Sequence, residues 1–264
     1  MVAETFHRTI LSYDVQRSTS LDNSAKIHIR RFLRDGLDHA LTAAGIPAEA
    51  ATFLDTGDGA IILMDATVSK QQVLDAWLGD FHDVLQRGYE RSPERFQTRL
   101  SIHAGEVHSS PDGHVGGDLE HACRLVDAPI LKRTLAATPS ASLGVIVSDV
   151  VYQQVVRHAA PALDPASFSP VVVHVKETTA SAWLHLPGWA RVPSVSGAHD
   201  GDGKGDGKGG PGAAAAASSA ATSAAPGSAA GQHPGIAVTG PVGVIGTATV
   251  NGPFTVGGPA GGAR

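Results

Sequence analysis

The sequence predicts a mixed α/β (α+β) fold: a ferredoxin-like βαββαβ core, an extended and mostly antiparallel sheet, and a disordered Gly/Ala-rich C-terminal tail. Three observations carry this. The apolar spacing switches between strand and helix periods in the order β-α-β-β-α-β up to Val107. A Gly57-Asp58-Gly59 turn joins two short apolar runs. Beyond Pro187 the composition collapses to Gly, Ala, Ser and Pro, too poor in large apolar side chains to offset chain entropy.

Taken in order, Thr9 to Tyr13 reads as a short buried strand ending at Asp14. From Ser24 to Gly45, Ile27, Phe32, Leu33, Leu37, Ala40 and Leu41 recur at helical spacing, with Gly45 as the stop. ATFLDT and AIILMD flank Gly57-Asp58-Gly59 as a hairpin. Val73, Leu74, Trp77, Leu78, Phe81, Val84 and Leu85 mark a second amphipathic helix. In the strand FQTRLSIHAGEV, Leu100, Ile102 and Ala104 alternate with Arg99, Ser101 and His103. This order predicts both helices on one face and the first strand beside the hairpin. A helix over about 119–136, a strand GVIVS, a helix over 149–158 and the strand pair FSPVVVHVK and SAWLHLP extend it.

The expected organisation is a folded domain over 1–190, a flexible linker over 191–235 and a low-complexity, β-prone tail over 236–264. The tail stretch IAVTGPVGVIGTATVNGPFTV is uncharged and rich in β-branched residues. It reads either as a disordered tail or as a short segment that self-associates or docks a protein partner by β-addition. The net charge of -5 is spread without a basic stripe, which argues against nucleic acid as a partner. One cysteine, Cys123, excludes an intrachain disulfide. The polar start and the lack of a long apolar run give no signal peptide and no membrane span, so a cytoplasmic protein is expected.

Asp14 ends the first strand and Asp58 sits in the neighbouring turn, so two carboxylates from distant sequence converge at one edge of the sheet. Such a pair suits Mg²⁺ or Mn²⁺, hard cations that take oxygen ligands and leave positions for phosphates. Separately, Asp58 is ordinary turn chemistry and Asp14 a possible helix cap. The 13 histidines show no metal-ligand spacing with cysteine. His103 and Cys123 read as structural.

Six segments in order, YDVQRST (13–19), TGDG (56–59), IHAGEV (102–107), GGDLEHACRL (116–125), IVSDVVYQQV (146–155) and VHVKET (173–178), resemble the class III nucleotidyl cyclases. In its RLVDAP (124–129) and VKETTASAW (175–183) segments the sequence also resembles divergent actinobacterial cyclase-like proteins. The resemblance covers most of residues 7–188. It implies that Asp14 and Asp58 bind two Mg²⁺ or Mn²⁺ ions, with the Val15 carbonyl as a further ligand. It implies that Arg124 stabilises charge on the reacting triphosphate and that Lys176 holds the terminal phosphates. In this family the halves of a site come from two subunits, so a homodimer acting on a nucleoside triphosphate is implied. Within this sequence alone, Arg124 also reads as a solvated helix residue and Lys176 as an edge-strand lysine.

The departures from the family lie in the substrate-binding set. Glu120 stands where an asparagine orients the ribose, and Leu54 stands where a lysine selects adenine. The second base-reading position falls near Gly113. Arg17 replaces a loop glycine, where it either contacts phosphate or fills space. Adenine specificity is unsupported, guanine specificity has no visible glutamate, and the resemblance leaves cyclic CMP or UMP open. The expected function is conversion of a nucleoside triphosphate to a 3′,5′-cyclic nucleotide and pyrophosphate in bacterial signalling, with defence as one setting. The alternative is a cyclase-fold module that binds nucleotide or dimerises without turnover. A diguanylate-cyclase-like palm is disfavoured, because Gly-Gly-Asp-Glu-Phe is absent.

Overall fold

The first strand, β1 (Glu4–Val15), lies at the middle of the sheet and is buried on both faces from Thr9 to Tyr13. In the computed structural model, residues 4–18, 21–91, 95–111, 113–160 and 163–194 are described, and nearly all of the linker and the whole tail fall outside them. The sheet continues through β2 (Ala51–Asp55), β3 (Gly59–Met64), β4 (Thr98–Ser110), β5 (Gly113–Val115), β6 (Leu143–Ser148), β7 (Ser169–Val175) and β8 (Thr178–His185). Its order is β2-β3-β1-β4-β6-β8-β7, with β5 paired to β4. All pairings are antiparallel except β4 with β6, which run parallel.

The helices follow the chain as α1 (Asn23–Ala43), α2 (Lys70–Gln72), a π turn (Val73–Trp77), α3 (Leu78–Arg91), α4 (Gly117–Val126), α5 (Pro129–Ala137) and α6 (Asp149–Gln154). α1 starts because the Asp22 side chain accepts from the Ala25 amide at 2.8 Å, and stops where Gly45 takes a φ of 67°. Its buried stripe of Ala25, Ile29, Leu33, Gly36, Leu37, Ala40 and Leu41 has helical spacing. Leu33, Leu37, Trp77, Phe81 and Leu85 form one core with Leu11, Tyr13, Ile62, Leu100 and Ile102. The two predicted helices therefore cover one face, as the βαββαβ order requires.

The other face is covered as well. Leu119 and Ala122 of α4 pack on Ile10, Ile61, Leu63 and Val107, while Leu125 and Leu131 pack on Ile146, Val173, Ala182 and Leu184. This is why Arg99, Ser101 and His103, on the alternate face of β4, are buried too. Two expected helices are shorter than the spacing suggested. The predicted helix over 119–136 breaks at Ala128 (φ -53°, ψ 127°), because Pro129 bars its predecessor from helical geometry and starts α5. The helix expected over 149–158 ends at Gln154, and a 3-10 turn (Val156–His158) follows. No helix among the described residues is long and apolar enough to cross a membrane.

Candidate active site

Asp14 is the register point of the sheet: it stands opposite Gly59 of β3 and opposite Arg99 of β4. The turn carrying Asp58 is thereby held against the end of β1. Gly59 is needed for that approach, since a methyl there would collide with the carbonyl oxygen of Tyr13. Sequence and topology thus bring the two carboxylates together from positions 44 residues apart in number, 58 less 14.

The Asp14 oxygens have different surroundings. Oδ2 accepts from the Arg99 guanidinium, whereas Oδ1 is buried and has no hydrogen-bond partner among the described residues. Burial pushes the Asp14 carboxyl above its ordinary pKa; Arg99 opposes this, while the charges of Asp58 and Asp127 add to it. Asp58 is exposed, and its Oδ2 accepts from the Ser18 hydroxyl at 2.6 Å. An orphaned carboxylate oxygen next to a second carboxylate suits a hard divalent cation. Among the described residues no group of three or more His, Cys, Asp or Glu side chains is arranged to hold an ion.

Beside Asp14 a cleft of about 320 Å³ opens between the start of α1 and the hairpin turn, lined by Val15, Ser18, Lys26, Arg30, Gly57 and Asp58 among others. Arg17, in the same β1–α1 connection, is exposed with a φ of 60°.

Arg124 and Lys176 come together at a different place. Arg124, near the end of α4, donates to Thr178 Oγ1 at 2.9 Å, to Glu177 Oε1 at 2.8 Å and to Glu120 Oε2 at 3.1 Å. These contacts hold it on the β7–β8 turn, where Lys176 is exposed with a φ of 51°. Among the described residues, no hydrogen bond or ion pair joins Arg124 or Lys176 to Asp14 or Asp58. Glu120 is turned onto Arg124 in an i,i+4 pair. Leu54 is partly buried and packs against the apolar cluster of Ile10, Ile61, Leu63, Val107, Leu119 and Ala122.

Sequence reasoning missed Arg99. It is 5% exposed, and besides Asp14 it donates to the Val126 carbonyl at 3.0 Å and reaches Asp127 at 3.4 Å. Arg99 follows Thr98 and alternates with Leu100 in a pattern that reads as the polar side of a strand, so nothing local to it signals a buried partner. His103, 6% exposed, is hydrogen-bonded to Ser148 at 2.8 Å and Asp118 at 3.2 Å within the core. Cys123 is half-buried in α4, and burial raises its thiol pKa.

No family model matches the chain, and no curated protein matches it. Solved structures do. A crystal structure of an adenylate/guanylate cyclase/hydrolase from Silicibacter pomeroyi superposes with a TM-score of 0.52 at 21% identity, covering 71% of this chain and all of that one (100%). A crystal structure of a guanylyl cyclase gives 0.50 at 16% identity, covering 70% and 92%. At these identities the likeness is one of fold. The chain has the fold of the class III adenylate/guanylate cyclase catalytic domains.

Proposed function

We propose that this chain is a metal-dependent nucleotidyl cyclase that converts a nucleoside triphosphate into a 3′,5′-cyclic nucleotide and pyrophosphate, working as a homodimer. The observation that carries the reading is the buried Oδ1 of Asp14, which has no partner among the described residues and lies beside Asp58; these are the two carboxylates that the sequence resemblance implies as metal ligands. Asp14, Asp58 and the Val15 carbonyl would hold two Mg²⁺ or Mn²⁺ ions, which supply activation of the ribose 3′-hydroxyl and neutralisation of the phosphates. In the step itself the 3′-hydroxyl gives its proton to solvent, the 3′-oxygen bonds to the α-phosphorus, the bond from that phosphorus to the α,β-bridging oxygen breaks, and pyrophosphate leaves with the electron pair.

Arg99 favours the ionised form of Asp14 against the effect of burial and orients it, because its guanidinium is fixed by the Val126 carbonyl and Asp127. Arg124 and Lys176 of a second subunit would supply countercharge to the α-phosphate and the leaving group. Leu54 offers an apolar wall where a base would be read and no hydrogen bond to adenine. The domain over 1–190 would carry all of this chemistry. The segment 236–264 is left with a role in partner recruitment, tested by its deletion and recovery of associated proteins.

A second reading is favoured by the Arg124 contacts. With Glu120 and Glu177 already on its guanidinium, Arg124 is neutralised at home, as in a nucleotide-binding module without turnover. One experiment separates the two. The purified chain is incubated with ATP, GTP, CTP or UTP and Mn²⁺, with Asp14→Ala and Asp58→Ala as controls. A cyclic product that both substitutions remove supports the cyclase; triphosphate binding without product supports the module.

A further inference from the structure

Lys26 stands just after the first turn of α1, part-buried, with its side chain on the wall of the cleft that Val15, Ser18 and Asp58 also line. The other cations nearby are spoken for. Arg30, one turn on, pairs with Asp55 at 2.8 Å; Arg34 pairs with Asp38 at 3.4 Å; Arg99 pairs with Asp14. Among the described residues the Lys26 ammonium makes no hydrogen bond or ion pair. The nearest lining carboxylate, Asp58, directs Oδ2 to the Ser18 hydroxyl instead.

An ammonium held part-buried in a cleft without a partner gives up hydration and gains nothing until an anion arrives. Resting on the cyclase reading above, we propose that Lys26 is a phosphate-binding residue: its ammonium holds the terminal phosphates of the triphosphate in the same chain that carries Asp14 and Asp58. The geometry supports this over a solvated lysine for two reasons. Lys26 and Arg30 are four residues apart and so share one stripe of α1 facing the cleft. The opposite wall carries the hairpin turn with Asp58, so an anion bridged to that carboxylate by a cation would extend across the cleft towards the lysine. A half-site in one chain would then grip the triphosphate tail before any partner supplied Lys176.

The test uses the full-length protein, Mn²⁺ and inorganic tripolyphosphate, with binding read by titration calorimetry. Lys26→Gln is expected to weaken tripolyphosphate binding about tenfold or more, the loss of one charge-assisted hydrogen bond, while Lys26→Arg stays within about threefold of the native chain. Mn²⁺ binding measured without phosphate should be unchanged in both. Tripolyphosphate binding that Asp58→Ala abolishes but Lys26→Gln leaves within about twofold overturns the role of Lys26 and leaves the metal site standing. Equal losses in Lys26→Gln and Lys26→Arg, with melting temperatures kept, also overturn it, because the charge is retained in the second. A native chain that binds no tripolyphosphate with Mn²⁺ overturns both this proposal and the reading it rests on.

Discussion

Asp14 and Asp58 have one proposed role and two very different surroundings, so their removal should separate binding from stability. The Arg99 side chain is 6% exposed, and its charge is balanced mainly by Asp14, itself 21% exposed. Asp14→Ala leaves that guanidinium buried without its main partner and should cost about 3 kcal/mol of unfolding free energy. Asp58 is exposed, so Asp58→Ala should cost about 1 kcal/mol or less, mostly the lost Ser18 contact. Both should abolish Mn²⁺ binding, and chemical denaturation beside metal titration checks the contrast; equal destabilisation would contradict it. A pH dependence follows from the same residue. Burial raises the Asp14 carboxyl, and metal binds only the ionised form, so Mn²⁺ affinity should begin to fall at a higher pH than it would for an unburied aspartate as acid is added. Titrating Mn²⁺ from pH 7 to 4 would show it, and an onset no higher than for an ordinary carboxylate would contradict it.

The β7–β8 hairpin closes through Lys176 and Glu177, a two-residue connection in which Asn-Gly would be the easy chemistry. Lys176 instead adopts a left-handed φ of 51°, at a cost of about 1 kcal/mol for a side chain with a Cβ. Arg124 pins this turn from below through Thr178 and Glu177, which makes it a positioning residue for Lys176 in its own chain. Lys176→Gly should therefore raise unfolding stability by about 1 kcal/mol while reducing triphosphate turnover. Thermal melts and product assays on that one variant test both halves, and a loss of stability would count against the account. Elements of this kind also show what was legible in the sequence. The order of the core strands, the Gly-Asp-Gly hairpin and the two helices over one face follow from local periodicity, and so does the meeting of Asp14 with the Asp58 turn, whereas β1 starts at Glu4, five residues before the expected Thr9. The break at Ala128 was visible in Pro129 yet outweighed by a continuing apolar period. The Arg99–Asp14 pair was hidden because register across a sheet is a long-range property, and the Glu177 and Thr178 contacts of Arg124 because they join a helix to a hairpin more than 50 residues on.

At the scale of the whole molecule, burial on both sheet faces leaves several histidines neutral inside the fold. His82, His103, His114, His121 and His185 all have pKa values lowered first by burial, His185 to about 4. Groups with depressed folded pKa values bind fewer protons folded than unfolded, so their stability contribution is fully present above about 6.5 and is lost as pH falls from there through their lowered folded values. The melting temperature should drop steadily from pH 7 to 4, and His185→Phe should flatten the lower part of that slope; a melting temperature independent of pH over that range would refute this. The separation of the site into two places argues for assembly. Asp14 and Asp58 end one strand region, whereas Arg124 and Lys176 gather at the β7–β8 turn, and no described contact joins them. If a complete site takes the carboxylates from one subunit and the cations from another, two inactive variants should repair each other. Asp58→Ala and Arg124→Ala, each inactive alone, should regain activity when mixed and allowed to exchange. Each mixed dimer then carries one site with all four residues and one with neither lesion corrected. Random exchange makes half the dimers mixed, so activity should return to about a quarter of the native level. Product formation in the mixture, followed against total protein concentration, reads this directly. A mixture that stays as inactive as its parts, while size measurements show exchanged dimers, would place all four residues in one chain's site and remove the shared-site arrangement.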